Sequence, residues 1–147
     1  MQSLYGKGDS ETVSSLIITG CFDIVHIGHL KIFKYAKQLA DEVIIAIDSD
    51  SKVKKDKGPD RPINNELDRK EFLENILGIS KVIVFNSEEE LKQICQSIKP
   101  DYRLVGSDWK GKKIVGDEYC KEIIFFDRIS DYSTTSIIEK IKNDLCF

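Results

Sequence analysis

The stretch LIITGCFDIVHIGHLKIFKYAKQLADEVIIAI, from Leu16 to Ile47, decides the fold of this chain. It opens with the β-rich run LIITGCF, continues with apolar residues at near-helical spacing from Leu30 to Ala40, and closes with the β-rich run EVIIAI. Strand, helix and strand in this order form one βαβ unit. Both strands are apolar runs without strict alternation, which is typical of parallel strands that are covered on both faces.

The same alternation continues along the chain. Further helices are predicted in ELDRKEFLENIL, EEELKQICQSI and GDEYCKE, and further strands in KVIVF, YRLVG and IIFF; a last helix is predicted to start at Ser133 and run through Leu145. We therefore predict an α/β fold, a single doubly wound domain with a mainly parallel sheet, whose ligands bind at the carboxyl ends of the strands. The polar segment 1–15 is expected to be a flexible leader, with the domain spanning 16–147.

Composition narrows the class of protein. The chain has 147 residues, the size of one domain, and 22 Lys and Arg against 25 Asp and Glu give a net charge of -3. This balance provides no general attraction to nucleic acid or to an anionic membrane. No apolar run is long enough for a membrane span or a secretory signal, so we expect a cytoplasmic protein without nucleic acid or membrane partners. The four cysteines show neither a zinc-site spacing nor a disulfide framework.

One segment departs from the alternation. Residues 48–65, DSDSKVKKDKGPDRPINN, follow the second strand and are polar and interrupted by Gly58, Pro59 and Pro62. We expect an irregular loop here that is mobile without ligand, because long loops in compact domains are usually functional or disordered. Its lysines could close over phosphate groups, although a solvated basic surface balanced by nearby aspartates is the structural alternative.

Both histidines of the chain, His26 and His29, flank Gly28 at the turn between the first strand and the first helix. Unpaired backbone N–H groups and the positive end of the helix dipole make this turn an anion site, and Gly28 permits close approach to the backbone. The imidazoles could be zinc ligands, a general acid and base, donors to phosphate oxygens, or purely structural groups. A zinc site lacks a third ligand at a convincing spacing, so we expect no protein metal site and favour phosphate binding. Asp23 could stabilise the turn by hydrogen bonds or help position magnesium, and we favour the structural role.

The segment GCFDIVHIGH resembles the H-x-G-H signature of the cytidylyltransferase-like nucleotidylyltransferases. SDSKVKKDKGPDRPIN, followed by Arg69, is similar to the nucleotidylyltransferase domain of ADP-heptose synthase. VGSDWKGK and RISDYSTTSII look like glycerol-3-phosphate cytidylyltransferase, with Ser130, Asp131 and Tyr132 where that pattern has Glu, Gly and Ile. The resemblance covers nearly the whole predicted domain and implies a Rossmann-like fold.

The resemblance also implies roles for individual residues. It implies a catalytic role for His26, His29, Lys54, Lys57 and Arg128. It implies acceptor binding by Lys55 and Arg69. It implies nucleotide binding by Gly20, Phe22, Gly28, Asp108, Trp109, Ser133, Thr134 and Thr135. The last three also precede or open a predicted helix, where hydroxyls and backbone amides can hold phosphate.

The implied reaction is attack of a sugar or polyol phosphate on the α-phosphorus of a nucleoside triphosphate, with release of pyrophosphate. The triphosphate would bring Mg²⁺, and the resemblance suggests a homodimer. The middle of the chain favours ATP and heptose 1-phosphate, whereas the C-terminal part favours CTP and glycerol 3-phosphate. A non-catalytic nucleotide-binding module is the alternative from another class, and it would not need both histidines together with the lysine-rich segment.

Overall fold

A computed structural model describes residues 13–127 and 133–144. Five parallel strands form one sheet: β1 (Ser15–Gly20), β2 (Glu42–Asp48), β3 (Lys81–Phe85), β4 (Tyr102–Gly106) and β5 (Glu122–Phe126). The strand order is β3-β2-β1-β4-β5. Strand order therefore reverses between β1 and β4, and the crevice above this switch point is where a doubly wound sheet binds its ligands.

Five α-helices connect or follow these strands in the described residues: α1 (Ile27–Leu39), α2 (Asp50–Lys57), α3 (Glu66–Glu74), α4 (Glu88–Ile98) and α5 (Thr134–Asp144). Two short 3-10 turns, Ser107–Trp109 and Asp117–Tyr119, lie between β4 and β5. In the described part of the chain no helix is long and apolar enough to cross a membrane.

The two faces of the sheet bury separate apolar clusters. One cluster contains Leu16, Ile18, Phe33 and Leu73, and the other contains Ile17, Phe85, Leu91 and Cys95. Because successive side chains of β1 point to opposite faces, Leu16 and Ile17 enter different clusters. Both faces of the central strands are thus covered, which explains why their sequences read as continuous apolar runs.

The predicted α/β class and the parallel sheet are confirmed, and the five predicted strands occur in the predicted order. The helix predicted in GDEYCKE is instead a three-residue 3-10 turn, Asp117–Tyr119. KVIVF, YRLVG and EEELKQICQSI form β3, β4 and α4 with the predicted bounds. β1 begins at Ser15, one residue before the predicted start, and α5 begins at Thr134 with Ser133 before it. Residues 1–12, most of the expected leader, lie outside the described residues.

The prediction of an irregular loop over residues 48–65 is wrong for its first half, which forms α2. Ser49 caps the helix by accepting a hydrogen bond from the Lys52 amide at 3.2 Å, and Val53 is fully buried. Three lysines lie in the last turn, where their positive charges interact favourably with the negative end of the helix dipole. Gly58 ends the helix with φ 109°. A polar sequence can thus form a helix when caps and one apolar anchor are supplied.

We expect the amides of residues 53–58 to be protected from hydrogen exchange without ligand, because their hydrogen bonds belong to a capped helix. Ser49→Ala should reduce this protection and lower the free energy of unfolding by about 1 kcal/mol. Ser97→Ala, at an exposed position of α4, is the control and should change neither. Exchange of residues 53–58 at the rate of an unfolded chain would contradict the helix.

Candidate functional site

A cavity of about 490 Å³ opens at the carboxyl ends of the strands, above the switch point between β1 and β4. Its volume suits a small organic ligand. The cavity is lined by the turn between β1 and α1, by α2, by the start of α4, by β4 and parts of the segment that follows it, and by the start of α5. Elements distant in sequence therefore meet where doubly wound sheets bind ligands.

His26 and His29 cap α1 reciprocally. The His26 Nδ1 accepts a hydrogen bond from the Gly28 amide at 3.1 Å, and the His29 Nδ1 accepts one from the His26 amide at 3.2 Å. This arrangement is a capping box in which both side chains are imidazoles. The two rings stack with their centroids 3.9 Å apart, so the turn and the first helical residues are held as one unit.

The capping bonds also determine where the imidazole protons lie. A ring nitrogen that accepts a hydrogen bond carries no proton, so each neutral ring carries its hydrogen on Nε2. Both histidines line the cavity. The site therefore presents two Nε2–H donors whose rings are oriented by the helix terminus.

Gly20 and Phe22 shape the turn before His26. A Cβ at Gly20 would lie 2.9 Å from the Phe22 ring, which therefore requires glycine at position 20. Phe22 has φ 51° and packs 5.0 Å from the His29 ring, measured between centroids. Gly20, Phe22 and Gly28 all line the cavity. Their nucleotide contacts remain predictions, and the structure adds a role in forming the turn.

Asp23 joins the histidine turn to the segment after α2. Its carboxylate accepts hydrogen bonds from the Ile63 and Asn64 amides at 2.8 Å each and from the Arg61 Nε at 3.0 Å. The side chain is fully buried, and both of its oxygens are occupied by these donors. The structural role favoured for Asp23 over help with magnesium therefore agrees with its surroundings.

Arg61 was not singled out from the sequence, although it lies within the segment GPDRPIN. It lines the cavity, and its Nη2 atom is buried without a hydrogen-bond partner in the described part of the chain. Its Nε is held by Asp23. A guanidinium fixed at one nitrogen and unsatisfied at another is suited to bind an oxyanion in the cavity.

Arg69, expected to bind the acceptor, is 2% exposed and does not line the cavity. It donates to the carbonyl oxygens of Cys21, Asp48 and Asn64 and to the Asp50 carboxylate, at 2.7 to 2.9 Å. The structure therefore uses Arg69 to hold the ends of β1 and β2 together with α2 and the following segment. Contact with an acceptor stays a prediction.

Of the lysines predicted on the 48–65 segment, Lys57 lines the cavity, whereas Lys54 and Lys55 lie on the exposed surface of α2 outside the lining. Lys52, which the sequence analysis did not select, lines the cavity and forms ion pairs with Asp48 and Asp56 at 3.5 and 2.8 Å. Burial disfavours its charged form, but these two carboxylates outweigh burial and raise the pKa of Lys52. Lys52 is therefore held as a cation.

The start of α5 also reaches the cavity. The Ser133 Oγ accepts from the Ser136 amide at 2.9 Å, and the Thr134 Oγ1 donates to the Ile24 carbonyl at 2.8 Å. Two of the three predicted phosphate hydroxyls thus have structural partners, and all three residues line the cavity. Trp109 lines it as well and is 43% exposed, whereas Asp108 is outside the lining. Arg128 lies outside the described residues.

Other cavity residues had no distinctive sequence pattern around them. They include Phe85, Glu88, Leu91, Arg103 and Lys113. Cys21 also lines the cavity, but burial raises the pKa of its thiol, which disfavours a nucleophilic thiolate. The cavity thus combines donors and cations without an activated nucleophile among the described residues.

We expect Asp23→Asn to lower the free energy of unfolding by about 3 kcal/mol, because it leaves the buried guanidinium of Arg61 without its counter-charge. Urea denaturation measures this loss. In a protein that already carries Arg61→Met, Asp23→Asn should lower the free energy of unfolding by less, since the two residues interact directly. Lys70→Met, which removes an exposed pair with Glu74, is the control and should cost about 0.5 kcal/mol at most. Equal losses from Asp23→Asn and Lys70→Met would contradict the importance of the Asp23 contacts.

Comparison with known proteins places this geometry in a family. Residues 17–140 match the cytidylyltransferase-like family. The chain is 40% identical over 124 residues to the bifunctional protein HldE of a Nitratiruptor species, covering 84% of this chain and 27% of that protein. It is 42% identical over 123 residues to the bifunctional protein HldE of Helicobacter pylori (strain Shi470), covering 84% of this chain and 26% of that protein.

Among solved structures, the lipopolysaccharide core biosynthesis protein from Thermoplasma volcanium GSS1 has the same fold, with a TM-score of 0.68 and 23% identity over 81% of this chain and 100% of that one. The chain spans about a quarter of the curated relatives it matches, 27% of one and 26% of the other. The family match extends from β1 into α5 and includes both histidines. The H-x-G-H turn resembles the signature of the cytidylyltransferase-like nucleotidyltransferases. The chain therefore belongs to the cytidylyltransferase-like family.

Proposed function

We propose that this protein transfers a nucleoside monophosphate from a nucleoside triphosphate to a sugar or polyol phosphate and releases pyrophosphate. The observation that carries the proposal is the pair of Nε2–H donors at the start of α1, fixed by the capping bonds of both Nδ1 atoms. This pair lines a cavity that also holds Lys52, Lys57 and Arg61. Two anionic reactants require such an arrangement of donors and cations.

In the proposed reaction an oxygen of the acceptor phosphate attacks the α-phosphorus of the triphosphate. The bond between the α-phosphorus and the bridging oxygen breaks, and that oxygen leaves with pyrophosphate. No protein nucleophile is needed, which agrees with the buried, protonated state favoured for Cys21. The contribution of the protein is to align both reactants and to stabilise charge that grows on the phosphates.

We assign the triphosphate to the part of the cavity that is formed by the starts of α1 and α5. His26 and His29 would donate to oxygens on which charge increases, and backbone amides at the helix N-terminus would add to this field. Trp109 and Phe126 also line the cavity and offer apolar surface to a base. We propose that Arg128 joins this group, as the resemblance implies.

Magnesium would reduce repulsion between the two anionic reactants when bound. The described residues contain no group of three His, Cys, Asp or Glu side chains that could hold a metal ion. We therefore propose that Mg²⁺ is carried by the phosphate oxygens of the triphosphate, while Asp23 keeps its structural role.

The similarity of residues 48–69 to ADP-heptose synthase favours ATP and heptose 1-phosphate as the reactants. The cavity supports a polyhydroxylated acceptor, because Asp48 and Glu88 line it and carboxylates accept hydrogen bonds from hydroxyls. CTP with glycerol 3-phosphate is the second candidate, favoured by the GSDW and STT segments, both of which reach the cavity.

A screen for pyrophosphate release tests the proposal. Each of ATP, CTP, GTP and UTP is combined with heptose 1-phosphate, glycerol 3-phosphate and other sugar phosphates, with and without Mg²⁺. We expect ATP with heptose 1-phosphate to give the highest rate. Product mass must show the nucleoside monophosphate joined to the acceptor phosphate. Triphosphate binding without pyrophosphate release from any acceptor would instead support a non-catalytic module.

A pair of variants separates the two functions of His29. In His29→Asn the amide oxygen can replace Nδ1 as acceptor from the His26 amide, but the Nε2–H donor is lost. We expect thermal unfolding to change little and kcat to fall by about a hundredfold or more. His29→Gln places its amide nearer the Nε2 position and should retain more activity while weakening the cap. A kcat for His29→Asn close to that of the unaltered protein would exclude His29 from transition-state stabilisation.

A further inference from the structure

Arg103 is a buried cation beneath the switch-point cavity. It lies in β4, opposite Ile17 of β1 in the strand register, and is 3% exposed. The same residue lines the cavity. Arg103 therefore lies on one of the two strands at which the order of the sheet reverses, and its guanidinium reaches Thr19 on the other.

The partners of Arg103 are neutral groups. The Nη1 atom donates to the Val115 carbonyl at 2.6 Å, and Nη2 donates to the Thr19 Oγ1 at 3.2 Å. The Nε atom is buried without a hydrogen-bond partner in the described residues. No aspartate or glutamate within residues 13–127 and 133–144 forms an ion pair with it, whereas the buried Arg69 and the partly buried Arg61 pair with Asp50 and Asp23.

A buried guanidinium without a carboxylate is costly, since hydrogen bonds to two neutral groups replace only part of the hydration that burial removes. A titratable group in contact with Arg103 is the Cys95 thiol, whose Sγ lies 3.9 Å from Nη1. A hydrogen bond with Cys120, aided by Arg103, lowers the pKa of Cys95 to about 7. The long Nη1 to Sγ distance and a thiol only partly ionised at neutral pH make this a weak counter-charge.

The position of Arg103 identifies which reactant it faces. The His29 ring packs on Phe22 and Phe33, which belong to the apolar cluster on one face of the sheet. Arg103 contacts Cys95 of the opposite cluster, which also contains the cavity residues Phe85 and Leu91. With the triphosphate at the histidine turn, the part of the cavity nearest Arg103 is left for the acceptor.

We infer that Arg103 is a specificity-determining residue that binds an oxyanion of the acceptor. This inference rests on the proposed nucleotidyl transfer. The oxyanion is either the attacking phosphate or a second acidic group of the acceptor, such as a carboxylate. In both cases the ligand supplies the negative charge that the surrounding side chains do not provide.

Inorganic phosphate is the first probe, with thermal unfolding as the readout. Arg103→Met replaces an unpaired buried charge with an apolar side chain, so it should keep or raise the Tm without ligand and lose most of the rise in Tm that phosphate produces. Lys110→Met is the control for loss of a positive charge, because Lys110 is exposed and outside the cavity lining, and it should keep the full phosphate effect. Arg103→Lys should show an intermediate effect, and it serves as the test variant if Arg103→Met does not fold.

Steady-state kinetics is the second measurement. Arg103→Met should raise the KM for the acceptor by about tenfold or more and leave the KM for the triphosphate nearly unchanged. Glucose 1-phosphate and glucuronic acid 1-phosphate differ by one carboxylate and form a matched pair. A preference for the glucuronic acid compound that disappears in Arg103→Met assigns the oxyanion to a second acidic group, and equal losses with both compounds assign it to the attacking phosphate.

The two measurements separate this inference from the proposed function. If Arg103→Met lowers the Tm without ligand but keeps the phosphate effect, Arg103 is structural and the inference is wrong. The inference is also wrong if Arg103→Met raises the KM for the triphosphate and not the KM for the acceptor. Active protein with an unchanged acceptor KM in either Arg103 variant also overturns it. If the unaltered protein releases no pyrophosphate and Arg103→Met still loses the phosphate effect, the oxyanion site is supported and nucleotidyl transfer is refuted.

Discussion

The geometry of the site depends on the hydrogen bonds that the Arg69 guanidinium donates. This guanidinium donates to carbonyl oxygens at the carboxyl ends of β1 and β2 and to the Asp50 carboxylate in the first turn of α2. Backbone carbonyl groups at the carboxyl ends of parallel strands have no partner in a neighbouring strand. A buried guanidinium has several N–H groups in one plane and can donate a hydrogen bond to each of these carbonyl groups. The first residues after two neighbouring strands are thereby held in a fixed relation.

A second contact extends this order to the histidine turn. Asp23 accepts hydrogen bonds from the segment after α2, so the turn that precedes His26 is also fixed by a part of the chain that is distant in sequence. His26 and His29 then complete the cap of α1 with their Nδ1 atoms, which the proposed catalysis does not need. The proposed donors are oriented before any substrate arrives, and preorganisation of this kind is the main source of electrostatic stabilisation in enzymes.

The sequence was informative where structure is local. Strand and helix periods, the position of His26 before α1 and that of His29 in its first turn follow from patterns within a few residues, and all agree with the structure. The helix α2 was missed because its stability comes from caps and from the burial of Val53, not from a repeated apolar pattern. Hydrophobic periodicity does not detect such a helix.

Long side chains were the other limit of sequence reasoning. The burial of Arg69 and of Arg103 depends on carbonyl and hydroxyl groups 12 to 84 positions away in the chain, apart from one neighbouring contact of Arg69. Arginine is usually exposed, so its type alone favours the surface. Which lysines of the 48–65 segment face the cavity likewise depends on the rotation of α2, which is set by the buried position of Val53.

The imidazole capping box couples the proposed chemistry to acidity. A neutral histidine can accept the backbone hydrogen bond at Nδ1, but an imidazolium carries hydrogen on both nitrogens and can accept none. The proton that would make either ring a stronger electrostatic donor to phosphate also removes an acceptor from the N-terminus of α1. In acid, loosening of the first helical turn and loss of the donor geometry would therefore arise from a single protonation event.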